Sequence, residues 1–145
     1  MSILKNKKYL STNFTFQELT YTKYSQYLLL NQSYAKDYLN NLILLSNYIL
    51  EPVRAYLNSP LIITSGFRYK ALNDFCGGQK NSQHLLGCAV DFIPKNKSIT
   101  KSFEILKNQK GFCFGQLILE KSWLHISLGM PFRSLENCFQ SFKVL

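Results

Sequence analysis

The chain has little acidic charge and no long apolar segment. Of its 145 residues, 17 are basic and 8 are acidic, so the formal net charge is +9. This excess favours polyanionic surroundings such as nucleic acid, anionic lipid headgroups or acidic cell-wall polymers, although no nucleic-acid-binding motif accompanies it. The longest apolar run, residues 42–50, contains Ser46 and Asn47 and is too short to cross a bilayer. We therefore expect no transmembrane segment and no nucleic-acid partner.

The first fifteen residues also lack the pattern of a secretory signal peptide. They are polar and carry lysines, without the apolar central stretch that such a signal needs. We therefore expect synthesis in the cytoplasm and thiols that are reduced there. The four cysteines match no standard metal-binding spacing, so we expect them to pack as small core residues: Cys76, Cys88, Cys113 and Cys138.

Only two histidines are present, His84 and His125, and Asp91 follows the first of them closely. Neutral imidazole nitrogen and carboxylate oxygen are suitable donors for Zn²⁺, and a site with three protein ligands leaves a fourth position for water. A structural zinc site would normally be closed by four ligands that include cysteines. The three residues are therefore candidate ligands of a catalytic zinc, although each alone has an ordinary alternative as a surface, capping or hydrogen-bonded core residue.

The apolar pattern predicts one α+β domain over residues 1–145, with a small antiparallel sheet packed against helices. Thr15 and Glu18 match a capping box that begins a first helix. A longer amphipathic helix is expected over residues 34–57, kinked or restarted at Pro52, and another near residues 99–107, capped by Ser98 or Thr100. Strands are expected at residues 60–64, 88–93, 116–120 and 123–128, the last two as a hairpin, with a site-shaping loop at residues 67–83.

Strand alternation supports the metal hypothesis. Asp91 and His125 each fall on the less apolar face of a strand, because their nearest neighbours along the chain are apolar and point the other way. Gly87 suits a tight chain reversal that would return His84 towards Asp91. We therefore expect the three ligands to meet on one face of the sheet.

The same segments resemble the zinc peptidases of peptidoglycan that include D-alanyl-D-alanine carboxypeptidases and L-alanyl-D-glutamate endopeptidases, and in particular their phage-type branch. The resemblance covers residues 13–128 in order, and Ser-x-His-x-x-Gly-x-Ala-x-Asp followed by Trp-x-His is its specific part. The matching segments are Phe14-Thr15-Phe16-Gln17-Glu18-Leu19, Ile63-Thr64-Ser65-Gly66-Phe67-Arg68, Leu72-Asn73, Gly77-Gly78, residues 82–91, Leu117-Ile118-Leu119-Glu120 and residues 123–127.

The resemblance implies the fold shared by these peptidases and the hedgehog signalling domain, with zinc on His84, Asp91 and His125. It also implies that Glu120 is the catalytic acid/base. Many members of the family instead place an acidic residue three positions before the last histidine, where this chain has Ser122. The alternative for Glu120 is an ordinary glutamate at a hairpin end that pairs with a neighbouring base.

Three further residues are candidate substrate-binding groups. Arg68 follows a predicted strand, and its planar guanidinium can hold a substrate carboxylate; the alternative is a structural ion pair. Ser82 is expected to hydrogen-bond near the site and Trp123 to form one of its walls, with capping and packing as their alternatives.

The expected function is therefore hydrolysis of an amide bond in the peptide stem of bacterial peptidoglycan by a zinc enzyme. Without a signal peptide, the expected route to the wall or periplasm is phage lysis or carriage in a virion. A second interpretation is a zinc-containing module of the same fold that binds wall or peptide without cutting it, and a third is a basic nucleic-acid-binding protein, which only the charge favours.

Overall fold

The computed structural model describes residues 7–129 and 140–145. Six α-helices and five strands form an α+β fold with the sheet packed against helices. No helix in these two ranges is long and apolar enough to span a membrane. The α-helices are α1 (Phe16–Thr20), α2 (Ser25–Ala35), α3 (Leu39–Leu45), α4 (Glu51–Leu57), α5 (Lys70–Phe75) and α6 (Ile99–Asn108).

The helix ends follow the expected chemistry. Thr15 and Glu18 form the predicted capping box at the start of α1, with both reciprocal hydrogen bonds present. Ser98 caps α6 by accepting from the backbone N–H of Lys101. A five-residue π-helix, Ser46–Leu50, connects α3 to α4, and Pro52 lies in the first turn of α4, where its missing N–H costs no hydrogen bond. The helix predicted over residues 34–57 is thus divided: its first two residues belong to α2, α3 begins at Leu39, and the interruption is the π-helix that ends just before α4 and Pro52.

The five strands form a single sheet in the order β1-β2-β4-β3-β5. They are β1 (Leu61–Ser65), β2 (Ala89–Pro94), β3 (Gln116–Leu119), β4 (Leu124–Ser127) and β5 (Ser141–Val144). The first four pair antiparallel, and β3 and β4 form the predicted hairpin. The predicted antiparallel strands are thus present, and β5, which was not predicted, pairs with β3 in parallel and makes the sheet mixed.

One face of the sheet forms the hydrophobic core. Val90 and Phe92 of β2 and Leu124 and Ile126 of β4 are fully buried there, together with Leu117 of β3. Helices α3, α4 and α6 supply the opposing apolar surface through residues such as Leu42, Leu45, Val53, Leu57, Phe103 and Leu106. The intervening residues of the strands point to the other face, which is therefore available for chemistry.

Two predictions about local structure need correction. Residues 70–75, expected to belong to a loop, form α5, and residues 25–35, for which no helix was predicted, form α2. The leucines of α2 are consecutive, and Leu29 and Leu30 are exposed, so its sequence lacks the one-sided apolar pattern that predicts a helix.

The cysteines only partly follow the prediction of core packing. Cys88 is a buried thiol, but Cys76 is an exposed thiol. Cys113 is disulfide-bonded, contrary to the expectation that the thiols are reduced. Cys138 lies outside the described residues.

Candidate metal centre

His84 is held in one orientation by the backbone around it. It lies in a 3₁₀ turn, Gln83–Leu86, that ends at Gly87, whose φ of 69° is left-handed and suits glycine. Its Nδ1 lies 2.7 Å from the carbonyl oxygen of Gly66. Because a carbonyl can only accept, Nδ1 carries the hydrogen and Nε2 presents a lone pair. The predicted chain reversal at Gly87 is therefore present, and it returns Nε2 to within 3.4 Å of Asp91 Oδ1.

Asp91 and His125 are brought together by strand register. The two residues are direct partners in the antiparallel pairing of β2 with β4, so their side chains stand side by side on the same face. Asp91 Oδ1 lies 2.9 Å from His125 Nδ1. His125 Nε2 is buried and has no hydrogen-bond partner among residues 7–129 and 140–145.

The donor atoms of these three residues fit one small cation. They all lie within 4.8 Å of one another, and Oδ1 of Asp91 is near a ring nitrogen of both histidines. Donors about 2.0 Å from a common tetrahedral zinc would be separated by about 3.3 Å. Asp91 Oδ1 lies at comparable distances, 3.4 Å from His84 Nε2 and 2.9 Å from His125 Nδ1. An Nε2 lone pair facing a carboxylate oxygen is also repulsive unless a positive charge lies between them. Geometry and chemistry therefore both favour a cation at this point.

Protonation states agree with this assignment. Burial lowers the pKa of His84 below its ordinary value of 6.5, although Asp91 opposes the shift, so His84 is neutral near pH 7. Burial alone would raise the pKa of Asp91, but its interactions with the two imidazoles, chiefly the hydrogen bond from His125 Nδ1, outweigh burial and lower the pKa well below 3.8. Neutral imidazole and ionised carboxylate are the forms that bind metal.

The three residues line an open cleft of about 810 Å³. Glu120 lines this cleft, is half-buried and follows directly after β3. Its backbone N–H donates to the carbonyl of Trp123 at 3.0 Å and closes the turn between β3 and β4. Ser122, at the position where many relatives carry the acidic residue, is exposed within the turn and does not line the cleft. Among the described residues that line it, Glu120 is the only carboxylate besides Asp91.

The comparisons with known proteins identify the family. The family model described as Peptidase M15 matches residues 12–127, most of the chain. The chain belongs to the peptidase M15 family. No curated protein matched the chain. M15 peptidases are metalloenzymes, and the His84, Asp91 and His125 cluster is where the described part of this peptidase could hold its metal.

Arg68 of the peptidase contacts a candidate metal ligand directly. Its NH2 group lies 3.1 Å from Asp91 Oδ2, on the oxygen that faces away from the two histidines. Its Nε donates to Ser65 Oγ at 2.9 Å, and its NH1 group lies 3.4 Å from Asn73 Oδ1. The structure thus contains the ion pair considered as the alternative for Arg68. A role in binding substrate remains a prediction, which the remaining N–H groups of the guanidinium would allow.

Ser82 and Trp123 also lie in the cleft of the M15 peptidase. Ser82 caps the 3₁₀ turn by accepting from the backbone N–H of His84 at 3.2 Å, so it helps to position a candidate metal ligand. Trp123 is 37% exposed. It lies just before β4, which begins one residue later than predicted. Their contacts with substrate remain predictions.

Asn31 was not singled out from the sequence, although it positions the segment that carries Arg68. Its fully buried amide donates to the carbonyls of Thr20 and Phe67 and accepts from the N–H of Tyr69. Asparagine is unfavourable inside a helix because its side chain competes for backbone hydrogen bonds, so its presence in α2 was the available signal. The partners of that amide are distant in sequence, which hides the role.

Proposed function

We propose that this M15 peptidase is a zinc enzyme that hydrolyses an amide bond in the peptide stem of bacterial peptidoglycan. Support for the metal comes from the convergence of His84, Asp91 and His125 in a cleft that also contains Glu120 and Arg68. The His₂Asp donor set with an open side is typical of catalytic zinc sites. The convergence of these ligands is the observation that carries the proposal.

The chemistry divides between the metal and Glu120. Zn²⁺ held by the three ligands would polarise the scissile carbonyl and lower the pKa of the attacking water. Glu120 would take the proton of that water and return it to the leaving amine as general base and then general acid. Its half-buried position on the cleft wall and the exposure of Ser122 support this assignment.

Arg68, Ser82 and Trp123 would bind the peptide. Arg68 would share its guanidinium between Asp91 and a substrate carboxylate, since its five N–H donors exceed the contacts it makes in the fold. Ser82 would hydrogen-bond to the peptide and Trp123 would pack against it. The cut would be either a D,D-carboxypeptidase or an L-alanyl-D-glutamate endopeptidase cut.

The deciding experiment is incubation of zinc-loaded protein with purified muropeptides, with products identified by mass spectrometry. Loss of a terminal alanine would identify a carboxypeptidase, and a split between the first two stem residues an endopeptidase. Glu120→Gln should lower turnover by about 10²- to 10⁴-fold while zinc stays bound. Ser122→Ala is the matched control and should keep full activity.

A non-catalytic module of the same fold is the competing function. It would bind muropeptides at the same cleft, and folded, zinc-replete protein would leave them intact. Full activity in Glu120→Gln would instead show that the proton is carried by another group and would reject the Glu120 assignment.

The basic surface suits a phage lytic enzyme that meets acidic wall polymers after host lysis or from a virion. A net charge of +9 would raise its local concentration at such a surface, and dissolved salt would screen that attraction over about 10 Å at 0.1 M. Binding to isolated walls should therefore weaken as salt rises from about 0.05 to 0.5 M in a sedimentation assay. Wall binding that does not change with salt concentration would contradict this electrostatic attraction to the wall.

A further inference from the structure

Strand β5 extends the catalytic face of the sheet beyond the hairpin that carries His125. Because β5 pairs in parallel with β3, Ser141 lies beside Gln116 and Lys143 lies beside Ile118. These four residues all line the cleft. The C-terminal strand is therefore one wall of the site.

Strand register places Lys143 in line with the metal ligands. Asp91 pairs with His125, His125 with Ile118, and Ile118 with Lys143, so one row of neighbours crosses four strands on the same face. Neighbouring strands lie about 4.8 Å apart, which places the backbone of Lys143 roughly 10 Å from that of His125. An extended peptide covers this distance in about three residues.

Lys143 is a cation in this wall that has no acidic partner in the described part of the chain. Its side chain is exposed, and no carboxylate within residues 7–129 or 140–145 lies within 4.0 Å of its ammonium group. Arg68, the other cation that lines the cleft, pairs with Asp91 on the opposite side of the metal centre. Lys143 is thus free to meet a negative group of the substrate.

We propose that Lys143 determines specificity by binding a peptide carboxylate about two or three residues from the scissile bond. This inference rests on the proposed function and deepens it, since it names a charged group that the substrate must carry on the β5 side of the metal. Amidation of that carboxylate would remove the charge and leave the size of the group nearly unchanged. The enzyme would therefore discriminate between the free acid and the amide of the same peptide.

The test measures binding of three forms of one peptide, L-alanyl-γ-D-glutamyl-L-lysyl-D-alanine. One form has both carboxylates free, one has the D-glutamate α-carboxylate amidated, and one has the C-terminal carboxylate amidated. Calorimetry on the zinc-loaded Glu120→Gln protein gives affinities without turnover. One amidation should weaken binding about tenfold, and adding Lys143→Gln should abolish that difference. Lys143→Arg should largely retain it.

Lys101→Gln is the matched control, because it removes the same charge from an exposed side chain on α6, which packs on the core face of the sheet. It should leave all three affinities unchanged. The inference is overturned if Lys143→Gln weakens the binding of all three peptide forms equally. It is also overturned if the two amidations lower the affinity by the same factor whether or not Lys143 is present. If none of the three peptide forms binds the zinc-loaded protein, both the inference and the proposed substrate are rejected. Lys143-dependent discrimination without turnover by the unsubstituted protein would reject the peptidase proposal alone.

Discussion

Asp91 is the residue on which the candidate metal centre depends most. One carboxylate oxygen faces His84 and His125, and the other faces Arg68. An anion buried in this way would be costly without such partners. The arrangement fixes the carboxylate in a single orientation before metal binds, which lowers the entropy that binding must overcome.

Arg68→Lys should weaken zinc binding about 10- to 100-fold, the usual effect of losing a group that orients a ligand. A lysine ammonium cannot reach Asp91, Ser65 and Asn73 as the guanidinium does. A competition titration with a chromophoric chelator measures the affinity, and Arg54→Lys on α4 is the control. Unchanged affinity in Arg68→Lys would show that the ion pair does not support the metal site.

At the scale of single residues, the sequence indicated the candidate ligands but not the residues that position them. Asp91 and His125 are polar residues that interrupt apolar segments, and alternation assigned each of them to the less apolar face of its strand. The contacts of Asn31 and Arg68 join distant parts of the chain, so no local pattern predicts them. The expected substrate anchor therefore proved to contact Asp91, a contact that requires the three-dimensional fold.

The junction of α1 with the end of β1 is the element contact that most directly fixes the metal centre. Gly66 packs so closely against α1 that an added Cβ would overlap the carbonyl oxygen of Leu19. The next residue, Phe67, donates its N–H to that same carbonyl at 2.7 Å. The carbonyl of Gly66 also accepts the hydrogen bond from Nδ1 of His84. The contact between Gly66 and α1 therefore also positions this candidate metal ligand.

Gly66→Ala should destabilise the fold by about 1–3 kcal/mol, the typical cost of forcing extra atoms into a packed site. Zinc affinity should fall as well, because the carbonyl that orients His84 must move. Urea unfolding and zinc titration measure the two effects. Gly129→Ala, whose Cβ would meet its nearest neighbour at an ordinary 3.8 Å, is the control and should cost less. Equal stability of the two variants would show that α1 can shift without cost.

Glu51 at the start of α4 makes hydrogen bonds to Ser11 and Asn13, in the segment that precedes α1. Its carboxylate accepts from Ser11 Oγ at 2.7 Å and from the backbone and side-chain N–H groups of Asn13 at 2.7 and 2.8 Å. Burial by itself would raise the pKa of Glu51, but the hydrogen bonds from Asn13 and Ser11 outweigh it and lower the pKa below 4.5.

The stabilisation from Glu51 should therefore be present above pH 4.5 and be lost as pH falls through the lowered pKa of the folded state. Glu51→Gln should cost about 1 kcal/mol at pH 7, because three charge-assisted hydrogen bonds at a partly exposed site are weakened. The variant should also lose less stability than the parent on acidification. Urea unfolding between pH 3 and 7 tests both effects, with the exposed Glu104→Gln as control. A constant difference across this range would contradict the linkage.

Among the elements, those with a one-sided apolar pattern or a clear cap were predicted correctly. Helices α1 and α6 each had a clear N-terminal cap, and the hairpin of β3 and β4 had alternating residues around a short turn. The mixed sheet was missed because β5 joins β3 from a remote part of the chain, and its four residues are all exposed. Helix α5 was missed because the glycines that follow it favour a loop.

At the scale of the whole molecule, the three candidate metal ligands lie in separate parts of the fold. They come from the 3₁₀ turn after α5 and from two strands of the sheet, so a bound ion would bridge these parts only in the folded state. A ligand that binds only the folded state stabilises it by mass action. Zinc should therefore act on the stability of the entire domain.

Zinc at about a hundredfold excess over its dissociation constant should add roughly 2.7 kcal/mol to the free energy of unfolding. For a chain of this length, that corresponds to a rise in Tm of about 5–10 °C. Scanning calorimetry with zinc and with excess chelator measures the shift. His125→Ala should abolish it, and an undiminished shift in that variant would place the ion elsewhere.

The two faces of the sheet also separate the mutational roles of neighbouring residues. Along β2 and β4, one parity of position carries the site through Asp91 and His125, and the other carries the core through Val90, Phe92, Leu124 and Ile126. Substitutions at alternate positions can therefore change chemistry or stability almost independently. A single inserted residue within either strand would exchange the two sets. We therefore expect related sequences to tolerate insertions outside β2 and β4 rather than within them. Along these two strands, the constraint on each residue should alternate between the chemistry of the site and the packing of the core.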